Sequence, residues 1–221
     1  MKVKYINTDK HNPNLSVDKI YYVIAIEFSN SDSMSGNYIK YRILNDMNQV
    51  IPYSARDFDV VSGKLSTSWV YNARSANDYT ILPSEIAYVH FWEDFYNDDR
   101  KALGLFESTY LRIIMEEASA EEIKEFLLSN NEYEVSLFLR GLGNTSNNDF
   151  INEVIELVKK EFSLFSVFSK IRATPLLIEC FNYLSKVGGD IVDELFLKYY
   201  ENVEWQCVEL DMIVNDFYSR Q

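Results

Sequence analysis

The hydrophobic period of this chain changes once, near residue 90. That change limits the fold to a strand-built part followed by a helix-built part. Before it, apolar residues alternate in short runs bounded by turn residues. Residues 3–6 alternate and stop at Asn7-Thr8-Asp9, and Asn12-Pro13-Asn14 is a turn. Residues 19–28 are rich in Tyr, Val and Ile, with positions 20, 22, 24 and 26 expected on one face. A polar loop containing Gly36 leads to a second long run, 38–44. Asn45-Asp46-Met47-Asn48 then has hairpin-turn chemistry. Runs at 49–53 and 58–61 follow, and Trp69-Val70-Tyr71 comes after Gly63 and a serine-rich stretch.

Short strands with tight turns at this density suggest a small SH3-like β-barrel over residues 1–90, an arrangement that hides its own edges. Residues 91–221 then read as an all-α bundle or short helical array of about seven helices, making the chain α+β. Asp98 is expected to cap a helix with apolar residues at 103, 106, 110, 113 and 114. Ser119-Ala120-Glu121-Glu122 is a capping box that opens the next. A third helix runs over about 132–142. A fourth is capped by Asn148 or Asp149, and its Phe/Ser end at 162–168 is compatible with extended chain as well. Thr174-Pro175 begins a fifth that stops at Gly188-Gly189. Asp190 opens a sixth, and Asn202 a seventh with Trp205, Val208, Met212 and Phe217 inward. No repeat of fixed period stands out.

Charge follows the same division. The chain has 21 Lys/Arg and 34 Asp/Glu, a net of −13. Residues 1–90 hold nine of each sign, whereas residues 91–221 hold 12 basic and 25 acidic residues. Within the helical part the acid lies at the two ends: four basic against twelve acidic over 91–135, and two against seven over 193–221. Nucleic acid and anionic membrane are therefore poor direct partners, and a basic protein is a good one. No apolar run approaches membrane-spanning length and no export signal is visible at the N-terminus, so a cytoplasmic protein is expected. Cys180 and Cys207, both expected in helices, suit reduced thiols better than a disulfide framework.

Several segments resemble a family of bacterial immunity proteins, the partners of polymorphic or contact-delivered toxins. Tyr41-Arg42-Ile43-Leu44-Asn45-Asp46, Tyr53, Asp57-Phe58-Asp59-Val60-Val61 and Ser68-Trp69-Val70 are similar to that family's N-terminal module. Phe91-Trp92-Glu93-Asp94-Phe95 follows in the order of its aromatic-acidic segment. The resemblance covers residues 1 to about 115. It departs at Tyr88-Val89-His90, where the family pattern has a Pro-Gly pair. It implies a cytoplasmic, non-enzymatic protein that binds the C-terminal domain of a cognate toxin and blocks it by occlusion.

The charge adds a physical reason: a nuclease toxin must present a basic surface to its substrate, and an acidic patch can occupy that surface instead. The expected contact is Glu93, Asp94, Asp98, Asp99, Glu116, Glu117, Glu121 and Glu122, with Trp92 and Tyr96 as aromatic anchors. A second patch comprises Glu201, Glu204, Glu209 and Asp211. The alternative is a regulatory or scaffold module that binds a peptide through an aromatic groove lined by Tyr41, Tyr53 and Trp69.

No cofactor or metal is expected. The two histidines, His11 and His90, have no metal-ligand spacing to Cys, His or carboxylate, and His90 is expected to be packed. Nucleophile-elbow, phosphate-loop and dinucleotide motifs are missing. A hydrolase with an unfamiliar carboxylate site is the remaining, weaker reading.

Overall fold

The computed structural model describes residues 1–8, 13–30, 37–66, 68–73, 75, 78–129, 131–145, 148–168 and 173–220. His11 and Gly36 lie outside them. The chain is α+β, with an antiparallel sheet of seven strands and eight α-helices among the described residues. It divides into two compact units, Met1–Ala118 and Ser119–Gln221. The change from strand to helix falls at residue 90, as the periodicity predicts. The compact units divide later, because the first two helices pack with the sheet.

The strands are β1 (Lys2–Tyr5), β2 (Ile20–Asn30), β3 (Asn37–Leu44), β4 (Val50–Ser54), β5 (Phe58–Ser62), β6 (Trp69–Ala73) and β7 (Asp78–Pro83). The hydrogen-bonded path runs β4-β3-β2-β1-β5, and a 3-10 turn, Ala55–Asp57, joins β4 to β5. No ladder joins β4 to β5 among the described residues, so the sheet is open where closure was expected. The 11-residue strand β2 explains this. Its start pairs with β1 (Lys2 opposite Tyr22) and its end with β7 (Phe28 opposite Tyr79), both on the edge away from β3. The β6–β7 hairpin therefore extends the sheet. The sequence reading missed β7, although Tyr79 and Ile81 alternate with Thr80 and Leu82.

A register shift between Val23 and Ala25 also changes which side chains of β2 face inward. Tyr21, Val23 and Ile26 face one core, together with Val3, Tyr5, Tyr41, Ile43 and Phe58; the expected face of 20, 22, 24 and 26 is therefore split, with Ile26 joining Tyr21 and Val23 while Ile24 is buried outside that cluster. Asn45, 1% exposed, fixes the β3–β4 turn. Its Oδ1 accepts from the backbone N–H of Met47 (2.9 Å) and Gln49 (2.8 Å), and its Nδ2 donates to the Tyr53 hydroxyl at 2.8 Å. Asp46 accepts from Ser16, Lys19 and Tyr21 at 2.6–2.9 Å.

Two helices complete the first unit, α1 (Phe91–Tyr96) and α2 (Arg100–Glu117), and α2 packs on β2. The buried residues of α2 include Phe106, Tyr110, Ile113 and Ile114, four of the five expected apolar positions.

The second unit contains α3 (Ala120–Leu127), α4 (Glu132–Thr145), α5 (Ile151–Phe168), α6 (Pro175–Val187), α7 (Asp190–Glu201) and α8 (Val208–Ser219). The Ser119 capping box and the Thr174 cap form as expected, and α5 continues helically through the Phe/Ser run. Asn202 caps only a 3-10 turn, Val203–Trp205, and α8 starts at Val208. This later start rotates the helix, so Leu210, Val214 and Phe217 are buried while Val208 and Met212, expected inward, are 71% and 67% exposed. Cys180 is buried in α6, whereas Cys207 is the half-buried residue before α8 and not helical; both are free thiols. No helix among the described residues is long and apolar enough to cross a membrane.

Candidate functional site

The aromatic-acidic segment forms α1, and its side chains gather around one buried cation. Arg42, on β3, is 8% exposed. Its Nε and Nη2 donate to Glu27 Oε1 at 2.8 and 2.6 Å, and its Nη1 donates to the Tyr96 hydroxyl. The guanidinium lies over the Trp92 ring, 4.2 Å from the centroid. The Tyr96 hydroxyl in turn donates a hydrogen bond to the Val50 carbonyl, so one hydroxyl links α1 to two strands. Burial, reinforced by Glu27 and opposed by Arg42, pushes the Tyr96 phenol above its ordinary pKa. Trp92 Nε1 is buried with no hydrogen-bond partner among the described residues. The two expected anchors thus hold an internal ion pair; Trp92 is half-buried and Tyr96 54% exposed, so part of each remains accessible.

Backbone chemistry accounts for several of the acids. Helix α1 ends in a Schellman arrangement, with Asp99 N–H bonded to the Asp94 carbonyl (3.0 Å) and Asp98 N–H to Phe95 (3.2 Å). Asp98 occupies its left-handed position at φ 58°. The cap of α2 is therefore Asp99 and not Asp98 as expected: its Oδ1 accepts from Lys101 and Ala102 N–H at 3.0 and 2.9 Å. Helix α1 itself starts from His90, at φ 71°. Its ring is 69% exposed and touches Glu93 at 3.0 Å, so it is not packed. Glycine would adopt this backbone conformation at less cost.

The remaining expected residues divide between structure and surface. Glu117 has a side chain 4% exposed, paired with the Met1 amine at 3.1 Å and accepting from the Ser62 hydroxyl at 2.8 Å. Glu122 completes the capping box. Asp211 accepts from the buried Tyr199 hydroxyl at 2.7 Å, while Glu209 and Asp94 are half-buried. Glu93, Asp98, Glu116, Glu121, Glu201 and Glu204 are exposed. Nothing among the described residues groups three or more His, Cys, Asp or Glu for a metal ion.

A pocket of about 500 Å³ lies beside α1, with no signal in local period or composition to announce it. Buried Thr80, Leu82, Ile86 and Phe91 line it, with Arg42 and Trp92. Asn72 and Ala73 contribute from β6, and Tyr88, Val89, His90 and Glu93 from the start of α1. These residues come from β3, β6, β7 and the continuous segment 86–93 that leads into α1, which only tertiary packing brings together. The peptide groove expected on the sheet is not presented: Tyr41 is in the core, and Tyr53 and Trp69 pack against it.

In comparisons with known proteins, no family model, no curated protein and no solved structure matches the chain.

Proposed function

We propose that this chain is an immunity protein that binds and neutralises a cognate bacterial toxin domain of basic surface, most simply a nuclease. The observation that carries this reading is the segregation of exposed acid. Charges balance over 1–90, acid exceeds base by 13 over 91–221, and Glu93, Asp98, Glu116, Glu121, Glu201 and Glu204 are all exposed. Such a surface accelerates encounter with a basic partner and competes with nucleic acid for the same sites. The protein acts by occupation and does no chemistry of its own, in the cytoplasm, where it meets the arriving toxin.

Three features support the resemblance. The Asn45-Asp46 turn and Arg42 are structural hubs, which explains why a family would share them. His90 has the left-handed backbone that suits the glycine of the family pattern. The path β5-β1-β2-β3-β4 with its 3-10 turn supports an SH3-like module, opened by the β6–β7 hairpin.

Co-purification with the toxin domain and rescue of growth test the reading. The Asp98 and Asp99 pair is unsuited to charge reversal, because Asp99 caps α2. Glu116→Lys with Glu121→Lys is the appropriate variant, since both side chains are exposed. Association should slow with rising ionic strength and with this variant. Unchanged association in both experiments would leave the acid as solvated surface.

A further inference from the structure

We propose that the pocket beside α1 receives the cationic side chain of an arginine or lysine from the protein partner. This inference rests on the reading that the partner is basic. The pocket, about 500 Å³, is within the range of built ligand sites.

Its charge selects the occupant. Among the described residues Arg42 is the only lysine or arginine in the wall, and its guanidinium is already matched by Glu27 at 2.6 Å, a residue outside the lining. The carboxylate of Glu93 at the mouth, 66% exposed, touches the imidazole of His90 at 3.0 Å and has no lysine or arginine ion-pair partner among the described residues. Among the described residues the wall thus has one formal charge left to match, and it is negative. Exposed Ala73, Tyr88 and Val89 and the half-buried Trp92 ring offer an apolar path for a methylene stem. The Thr80 hydroxyl, on a residue 2% exposed, and the Asn72 amide oxygen add neutral acceptors. Asn72 is held by its Nδ2, which donates to the Ala87 carbonyl at 2.8 Å.

The mouth has the form of a recognition element. Val89 is 75% exposed at the turn into α1. His90 follows in a conformation that glycine adopts at lower cost, and the imidazole's exposed contact with Glu93 returns little stability. Keeping a side chain at such a position is what a contact surface requires.

The test uses small probes on the full chain and needs no toxin. N-acetyl-arginine amide, N-acetyl-norleucine amide and N-acetyl-glutamate amide are titrated while the indole N–H signal of Trp92 and the backbone signals of Asn72 and His90 are followed by NMR. The Trp92 signal, one of three tryptophans, is assigned with Trp92→Phe. The arginine probe should produce saturable shifts at these residues, at least fivefold weaker in Glu93→Gln, and Ala73→Trp should block them. Should the Ala73 variant fail to fold, the exposed Glu93→Gln still decides. Equal binding of the norleucine probe, stronger binding of the glutamate probe, or no saturable shift with any probe would overturn the inference. If growth rescue succeeds while the probes fail, only the pocket assignment falls. If the probes bind while rescue fails, the immunity reading falls and the cation pocket stands.

Discussion

Replacing Arg42 with methionine should destabilise the first unit more than any surface substitution. The side chain of Arg42 is 9% exposed and that of Glu27 19%, with the two in contact at 2.6 Å. Removing one member of such a pair leaves the other desolvated and uncompensated, at a cost of about 3–5 kcal/mol. Loss of the guanidinium over Trp92 is part of that cost and is not added to it. At roughly 3–5 °C per kcal/mol for a unit of this size, the midpoint should fall by about 10–20 °C. Arg42→Met with Glu27→Leu should recover most of the loss, because a well-packed apolar pair often matches a buried ion pair in stability. The assay is urea unfolding by tryptophan fluorescence in a Trp205→Phe background, where Trp69 and Trp92 report on Met1–Ala118 alone. A cost below about 1 kcal/mol for the single variant, or a double variant no more stable than the single, would refute the reasoning.

Four further outcomes follow from the same structure. His90→Gly should hold stability or raise it by up to about 1 kcal/mol in urea unfolding, while His90→Val lowers it, since φ is 71°. Asp99→Ala should cost about 1 kcal/mol through loss of the α2 cap, and Asp98→Gly should not destabilise, a contrast that equal charge changes alone cannot produce. Tyr199→Phe should cost about 1–3 kcal/mol by leaving Asp211 Oδ1 and the Cys207 N–H without the hydroxyl that joins them, measurable by thermal unfolding. Burial raises the Asp46 carboxyl pKa, but hydrogen bonds from Lys19, Ser16 and Tyr21 outweigh it and hold the group below its ordinary 3.8. Its contribution is therefore full above that value and lost as pH falls through the lower folded pKa; Asp46→Asn should flatten the acid limb of a stability–pH curve.

Helix starts were readable wherever a cap works through local backbone donors. Ser119 and Thr174 needed only their own next turn, and both form as expected. The cap at 98–99 was misplaced by one residue because two adjacent aspartates offer the same local chemistry. What decides between them is the end of α1, which places Asp98 in the left-handed conformation and leaves Asp99 extended. The face of β2 was misread because a bulge is invisible to a strict two-residue period. Charge and residue type alone cannot separate an exposed acid such as Glu116 from Glu117, whose side chain is 4% exposed.

By itself, then, the sequence determined the order of strand and helix, the caps and the segregation of acid, because each depends on residues near one another along the chain. Tertiary structure alone decided that Trp92 and Tyr96 secure Arg42, that β2 divides one edge between β1 and β7, and that four separate segments enclose a pocket. Those outcomes depend on groups far apart in sequence coming within hydrogen-bond distance, as the Tyr96 hydroxyl does with the Val50 carbonyl 46 positions away and the Arg42 guanidinium 54 positions away. Local period and composition carry no record of such distances.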